Sequence, residues 1–290
     1  MSARALITVA LLAAACDPEL PQQTSRIDAP RVLAVIATPA EAAPGAAVDY
    51  TAVVATPDGP VAAPALAWSY CTAPKPPTED NIVPAACVDD PAALVAIAAT
   101  ATLPTAACRT YGPDLGTTGA RPRDPDPSGG YYQPVRVDLA GAPLTFGLHR
   151  LACNLADAPP AIVRDFRLRY RANLHPTLAS LALAAGATTV APDATATLVA
   201  TWPADAAEPY VIYDRAVVAV VDRREALRVG WFATDGALAA DATGVAADDP
   251  ATATTVTWTA PSMPGLVHLW AVLHDDRGGV ATATIAVDVR

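Results

Sequence analysis

From Arg31 onward the apolar positions recur at period two far more often than at the period of a helix. Val48, Tyr50, Ala52 and Val54 alternate with polar or small residues, as do Leu66, Trp68 and Tyr70, so each run presents one apolar face of a strand. Residues 31–37 open this region as a further strand, and apolar pieces at 93–103, 135–139 and 145–155 supply more. Pro57-Asp58-Gly59-Pro60 sets a tight turn between two of these runs, with fixed φ at the prolines and positive φ available at the glycine. The second half is more regular. Stretches 195–202, 210–221, 226–234, 252–260, 265–273 and 280–289 read as strands separated by Pro, Gly and Asp clusters. Short strands at this spacing predict antiparallel sheets packed face to face. Trp231, with Leu227 and Val229 on the same strand face, is placed to fill the space between two sheets.

Two stretches break the strand pattern. Asp157-Ala158-Pro159-Pro160 precedes Ile162, Phe166 and Tyr170 at helical spacing, which predicts a short helix opened by an acid and paired prolines. Residues 112–130 form a long Pro/Gly/Asp loop, and Asn173, His175 and Pro176 mark a boundary between two folded units. The expected organisation is a removable leader at 1–15, a tether at 16–30, a first β domain at 31–174 and a second at 175–290.

Composition narrows the class. The chain has a formal net charge of −10, which makes nucleic acid a poor partner. Its five cysteines are Cys16, Cys71, Cys87, Cys108 and Cys153, the last four all in the first folded unit. In an exported protein four such cysteines imply two disulfides with three possible pairings. Cys71 with Cys87 and Cys108 with Cys153 is the pairing expected here, closing one short and one long loop. No C-x₂-C pair is present to suggest a zinc site.

The N-terminus accounts for the fifth cysteine. Arg4 is followed by an uncharged apolar run to Ala15, the length of a signal-peptide core and too short for a spanning helix. Leu11-Leu12-Ala13-Ala14-Ala15-Cys16 resembles the lipobox of bacterial lipoproteins. The resemblance implies that the Cys16 thiol is alkylated by diacylglycerol and its freed amine acylated, holding the chain on a membrane by more than one acyl chain. It also implies an exported protein at the cell envelope, periplasmic or on the cell surface.

A second resemblance lies at the other end. Gly230-Trp231-Phe232-Ala233-Thr234-Asp235-Gly236 is similar to the W-D-F-G-D-G segment of PKD-type Ig-like domains. Pro264-Gly265, then Val267, Leu269, Ala271 and Leu273, then Asp275-Asp276-Arg277-Gly278-Gly279 and a Thr/Val-rich last strand resemble the closing hairpin of Ig-like modules. The match spans about residues 226–290. It implies two tandem Ig-like β-sandwich domains, the first elaborated with long loops and disulfides and carrying Trp68 in the place of Trp231.

Candidate chemistry is sparse. No serine lies in a G-x-S-x-G turn. His268 and His274, with Asp275 and Asp276, are read as a Trp270 neighbour and a solvated turn, and no metal or other cofactor is expected. Arg164, Arg167, Arg169 and Arg171 are read as a solvated face. Tyr131 and Tyr132, beside the long loop, are the candidate binding residues, because loop aromatics stack on sugars or anchor protein partners. The expected function is that of a non-catalytic binding or scaffolding module for an envelope protein or glycan. The other readings are a structural spacer, or an enzyme that would have to gather His149 or His175 with acids and a nucleophile.

Overall fold

The computed structural model describes residues 24–76, 78–79, 81–113, 126–156 and 158–290. Cys16, the leader and Asp157 lie outside the described residues, as do most of the 112–130 loop and the tether up to residue 23. Among the described residues no helix is long and apolar enough to cross a membrane.

Two β-sandwiches form the molecule. The first is built from β1 (Arg31–Thr38), β2 (Glu41–Ala42), β3 (Ala47–Thr56), β4 (Gly59–Pro60), β5 (Leu66–Cys71), β6 (Leu94–Ile97), β7 (Thr100–Thr102), β8 (Gly130–Leu139) and β9 (Thr145–Ala152). One of its sheets runs β1-β3-β4, with β7 also on β3, and the other runs β2-β9-β8-β5-β6. Alternate residues of these strands meet in a core of Val48, Tyr50, Trp68, Tyr70, Val135 and Leu151, among others. Trp68 stacks on Tyr50 at 5.8 Å between ring centroids. Disulfides join Cys71 to Cys87 and Cys108 to Cys153, the pairing expected from the sequence.

The second sandwich contains β10 (Ser180–Leu183), β11 (Thr189–Val190), β12 (Thr195–Thr201), β13 (Pro209–Asp214), β14 (Ala219–Arg224), β15 (Leu227–Ala233), β16 (Ala237–Leu238), β17 (Ala242–Val245), β18 (Ala253–Thr259), β19 (Gly265–Asp275) and β20 (Val280–Val289). Its sheets run β10-β12-β18-β16 and β11-β20-β19-β15-β17. Trp231 and Trp258 are fully buried between them with Leu198, Leu269 and Leu273. The stretch 210–221 is a separate hairpin, β13 with β14, and not one strand. Its turn places Val218 at φ 52°, a left-handed conformation that a β-branched residue rarely takes, and Asp214, which accepts from the Ala216 N–H at 2.9 Å, is the one ordinary turn residue there.

The helix expected after Pro160 spans Pro160–Arg169, with proline in its first turn. Ile162, Phe166 and Tyr170 face one way, as their spacing predicts, and pack on Val211, Tyr213 and Val220 of the hairpin.

The N-terminal segment departs from the expected tether through Pro30. Ser25 and Ile27 clasp Ala233 of the second sandwich through two backbone bonds of 2.9 Å. Ile27 is fully buried against Trp270 and Ala55, and an apolar side chain with a prepared pocket holds this stretch in place. The chain therefore touches the second sandwich before it begins the first.

Candidate functional site

The site grows out of how the sandwiches meet. Along β19, Val267, Leu269, Ala271 and Leu273 fill the second core, while Trp270 and Val272 point the other way and are also buried. A strand buried on both faces needs a partner surface. It finds one in β1 and β3, where Ala34, Val53 and Ala55 pack with Trp270, Val272, Val280 and Phe232. The backbone of Gly59 fits against the His268 ring so closely that an added Cβ would lie 2.6 Å from Nε2.

Beside this apolar contact lies a buried charge network, to which each sandwich brings its own Arg–Glu pair. In the first, Arg150 Nε donates to Glu41 Oε2 at 3.1 Å, with both side chains 1% exposed or less. Arg150 also donates to the Ser128 carbonyl at 3.0 Å and to the Tyr132 hydroxyl at 3.3 Å. In the second, Arg277 Nε donates to Glu225 at 2.6 Å and Nη2 to Glu208 at 3.1 Å. Its Nη1 donates to the Arg171 carbonyl at 3.0 Å, and the guanidinium lies 4.8 Å from the Tyr210 ring centre.

The two pairs are tied together by the connecting segment. Asn173 donates its backbone N–H to Glu41 at 2.8 Å and its side-chain amide to Asp275 at 3.3 Å. Tyr170 donates its hydroxyl to Glu41. His175 accepts from the Val280 N–H at 3.0 Å through Nδ1, so Nε2 carries the proton it donates to the Ala37 carbonyl at 2.8 Å. Asp275 accepts from the backbone N–H groups of Arg277 and Gly279 at 2.9 and 2.7 Å. Burial, and then the neighbouring Asp275 charge, push the Glu225 carboxyl up to about 7, against the opposing pull of Arg277. Such pairs add little net stability over an apolar core, but removing one member leaves a charge stranded and costs about 3–5 kcal/mol.

The turn 274–279, expected to be solvated, is thus a buried joint: Asp275 and Arg277 are 7% and 2% exposed. Its polar residues are the material of the network, which a local reading takes for surface. Gly278 has φ 101°, and an added Cβ would meet Tyr132 at 3.3 Å.

Where this turn meets the first sandwich, a groove of about 560 Å³ opens. Its walls include Leu33 and Val35 of β1, Phe146 and Leu148 of β9, Tyr132, and Ile82 at the rim. His274 and Asp276 stand at the wall formed by the turn. Ile82 is 67% exposed, an unusual position for a large apolar side chain beside an apolar cleft. Burial, ahead of the other influences, lowers the affinity of His274 for a proton and raises that of Asp276.

The structure separates the two tyrosines expected to bind. Tyr131 is 4% exposed and packs into the first core, so its ring is not offered to a ligand. Strand alternation turns Tyr132 the other way, into the network and the groove wall. His149 and His175 converge with Tyr50 on a cavity of only about 10 Å³, the lower limit for one water molecule. His149 Nδ1 is 3.0 Å from the Tyr50 hydroxyl, and burial depresses its pKa to about 4 despite the Pro39 carbonyl and Glu41. Of the arginine run, Arg169 bridges to Asp222 at 2.7 Å and Arg167 bonds Asn154 at 2.8 Å on the surface. Arg171 contributes its carbonyl to the joint. Among the described residues no three or more His, Cys, Asp or Glu side chains gather as a metal site.

Glu41, Arg150, Arg277 and Ile82 were not legible as site residues. The glycines of β8 and β9 were the available signal: a Cβ at Gly130 would meet Arg150 at 2.2 Å and one at Gly147 would meet Val35 at 2.5 Å.

No family model and no curated protein matches the chain. Solved structures similar to parts of it are β-domain proteins at low identity. The Reelin-N domain of F-spondin is 13% identical, with 44% of this chain and 96% of that one covered and a TM-score of 0.27. The fibronectin(III)-like modules of Clostridium thermocellum CbhA are 12% identical over 92% of each chain, with a TM-score of 0.25. The Yersinia pseudotuberculosis adhesin InvE is 12% identical, covering 88% of this chain and 58% of that one, with a TM-score of 0.23.

Proposed function

We propose that this protein is a non-catalytic lipoprotein of the bacterial cell envelope, anchored through Cys16, that serves as a rigid binding or scaffolding module for a protein or glycan partner. The observation that carries the reading is the coupling of the two sandwiches. The joint holds a groove between them, mostly apolar with His274 and Asp276 on one wall, a built recess that a passive spacer does not need. Two disulfides suit an oxidising compartment outside the cytoplasm and so favour export. A catalytic reading has less support. His149 and His175, the histidines such a site would gather, border with Tyr50 a space that holds about one water molecule. Purification of crosslinked complexes from intact cells, with the wild type beside Cys16→Ser, tests the proposal. A defined partner set that disappears with the anchor supports it, and an empty capture from both removes the protein-recruitment reading.

A further inference from the structure

The edges of the first sandwich are treated unequally. Exposed strand edges invite other strands, and folded proteins blunt them with bulges, charges, prolines or cover. β1 carries a register shift between Val32 and Ala34 and is covered, with Ala34 packed on Val272 and Val280. β9 has no such protection along most of its length. β8 pairs with it from Thr145 to Ala152, whereas β2 pairs with it only at Arg150 and Leu151. Among the described residues no strand lies on the outer side of Thr145 to His149. That uncovered edge carries Phe146, Gly147 and Leu148, with neither Lys nor Pro, and it forms a wall of the groove.

Resting on the binding-module reading above, we propose that the groove receives one extended peptide segment of a partner protein, added as a strand to the free edge of β9. Backbone groups of Thr145 to Leu148 supply the ladder, about 14 Å long at ~3.4 Å per residue. Alternate side chains of the incoming strand lie against Phe146, Tyr132 and the rim residue Ile82. The charge of the groove selects the partner. Among the described residues the lining holds no lysine or arginine, and the Arg277 guanidinium behind it is consumed by Glu225 and Glu208. Asp276 stands exposed at the turn wall, its Oδ2 held only by contacts of 3.3 and 3.4 Å to Tyr210 and Ala226. The segment is therefore apolar with a basic side chain directed at Asp276.

The test is selection of displayed random heptapeptides on the immobilised full chain, followed by binding of the enriched peptides to wild type, Ile82→Asp and Asp276→Lys. Both positions are exposed, and unchanged unfolding midpoints confirm that the variants fold. Enriched peptides are expected to alternate apolar residues and to carry Lys or Arg. They should lose at least tenfold in affinity to either variant and slow amide exchange at residues 146–148. No enrichment over the doubly substituted chain, equal affinity for the variants, or protection elsewhere overturns the proposal. Sugar binding abolished by Ile82→Asp, or self-association of the chain abolished by it, would put a glycan or a second copy in the groove and also overturn it. In the cell experiment, a partner captured equally by wild type and the Asp276→Lys variant sinks the groove and leaves the binding module standing. No partner with either sinks the protein-recruitment reading on which the proposal rests.

Discussion

The two sandwiches reach the same architecture by different routes. The second has no cysteine and buries Trp231 and Trp258 within an almost wholly apolar core. The first has one tryptophan, Trp68, keeps Tyr50, Tyr70 and His149 in hydrogen-bonded contact inside, and carries both disulfides. The contrast shows that a small core containing polar groups can be compensated by covalent staples, while a core of large aromatics and leucines needs none. It also shows where specificity sits. The open edge and most of the groove belong to the stapled sandwich, and the turn that closes one wall belongs to the packed one.

Four expectations break or sharpen this contrast. The largest effect belongs to Trp231→Ala, which should destabilise the second sandwich by about 5 kcal/mol through lost burial and the cavity left behind. Denaturant unfolding checks it, with amide exchange at the strands of each sandwich following the two separately. Next, Arg277→Met strands Glu225 and Glu208 and should cost about 4 kcal/mol at pH 8. The loss should shrink at pH 5, where Glu225 can take up a proton, and a pH-independent loss would mean the carboxylate is not the stranded group. Third, replacing Cys71 and Cys87 by Ala opens a loop with a sequence separation of 16 and should cost about 3 kcal/mol in the first sandwich alone.

The smallest effect is a difference in sign with pH. His149, depressed from 6.5 to about 4, stabilises the first sandwich fully above pH 6.5. Acidification from pH 6.5 to 5 should remove about 2 kcal/mol of that contribution. Glu225, raised from 4.5 to about 7, acts in the opposite direction: its contribution is complete below pH 4.5 and is lost as pH rises to about 7. Acid should weaken the first sandwich relative to the second, and His149→Gln should abolish the acid-labile part. Separate titration of unfolding midpoints measures both.

How far the chain could be read depended on how local each feature is. β12, β15, β18, β19 and β20 follow from alternation over a few residues, and the helix after Pro160 follows from the spacing of Ile162, Phe166 and Tyr170. The hairpin at Val218 was hidden because two valines stand in its turn, and Asp214, which accepts from the Ala216 N–H at 2.9 Å, is its one ordinary turn residue. The joint was hidden for another reason. Glu41 meets Arg150 across 109 residues and Glu225 meets Arg277 across 52, so nothing local distinguishes these charges from surface ones. For the binding site, alternation alone could orient Tyr131 and Tyr132 oppositely. It could not say that the side facing outward from one sandwich would face the other. Trp270 and Val272 were the better clue, since large apolar residues on the outer face of a strand need cover.

The clasp of Ser25 and Ile27 on Ala233 has a mechanical consequence. A load applied to the chain ahead of Thr24 enters the molecule at the end of β15, through two backbone bonds and the wedge of Ile27 against Trp270. It reaches the well-packed sandwich first, and β1 is shielded until that clasp gives way. The same arrangement orders assembly in time. Ile27 emerges early in synthesis, but Ala233 and Trp270, which complete its seat, are made more than two hundred positions later. The strap therefore cannot close before β19 has been made, however early the first sandwich folds.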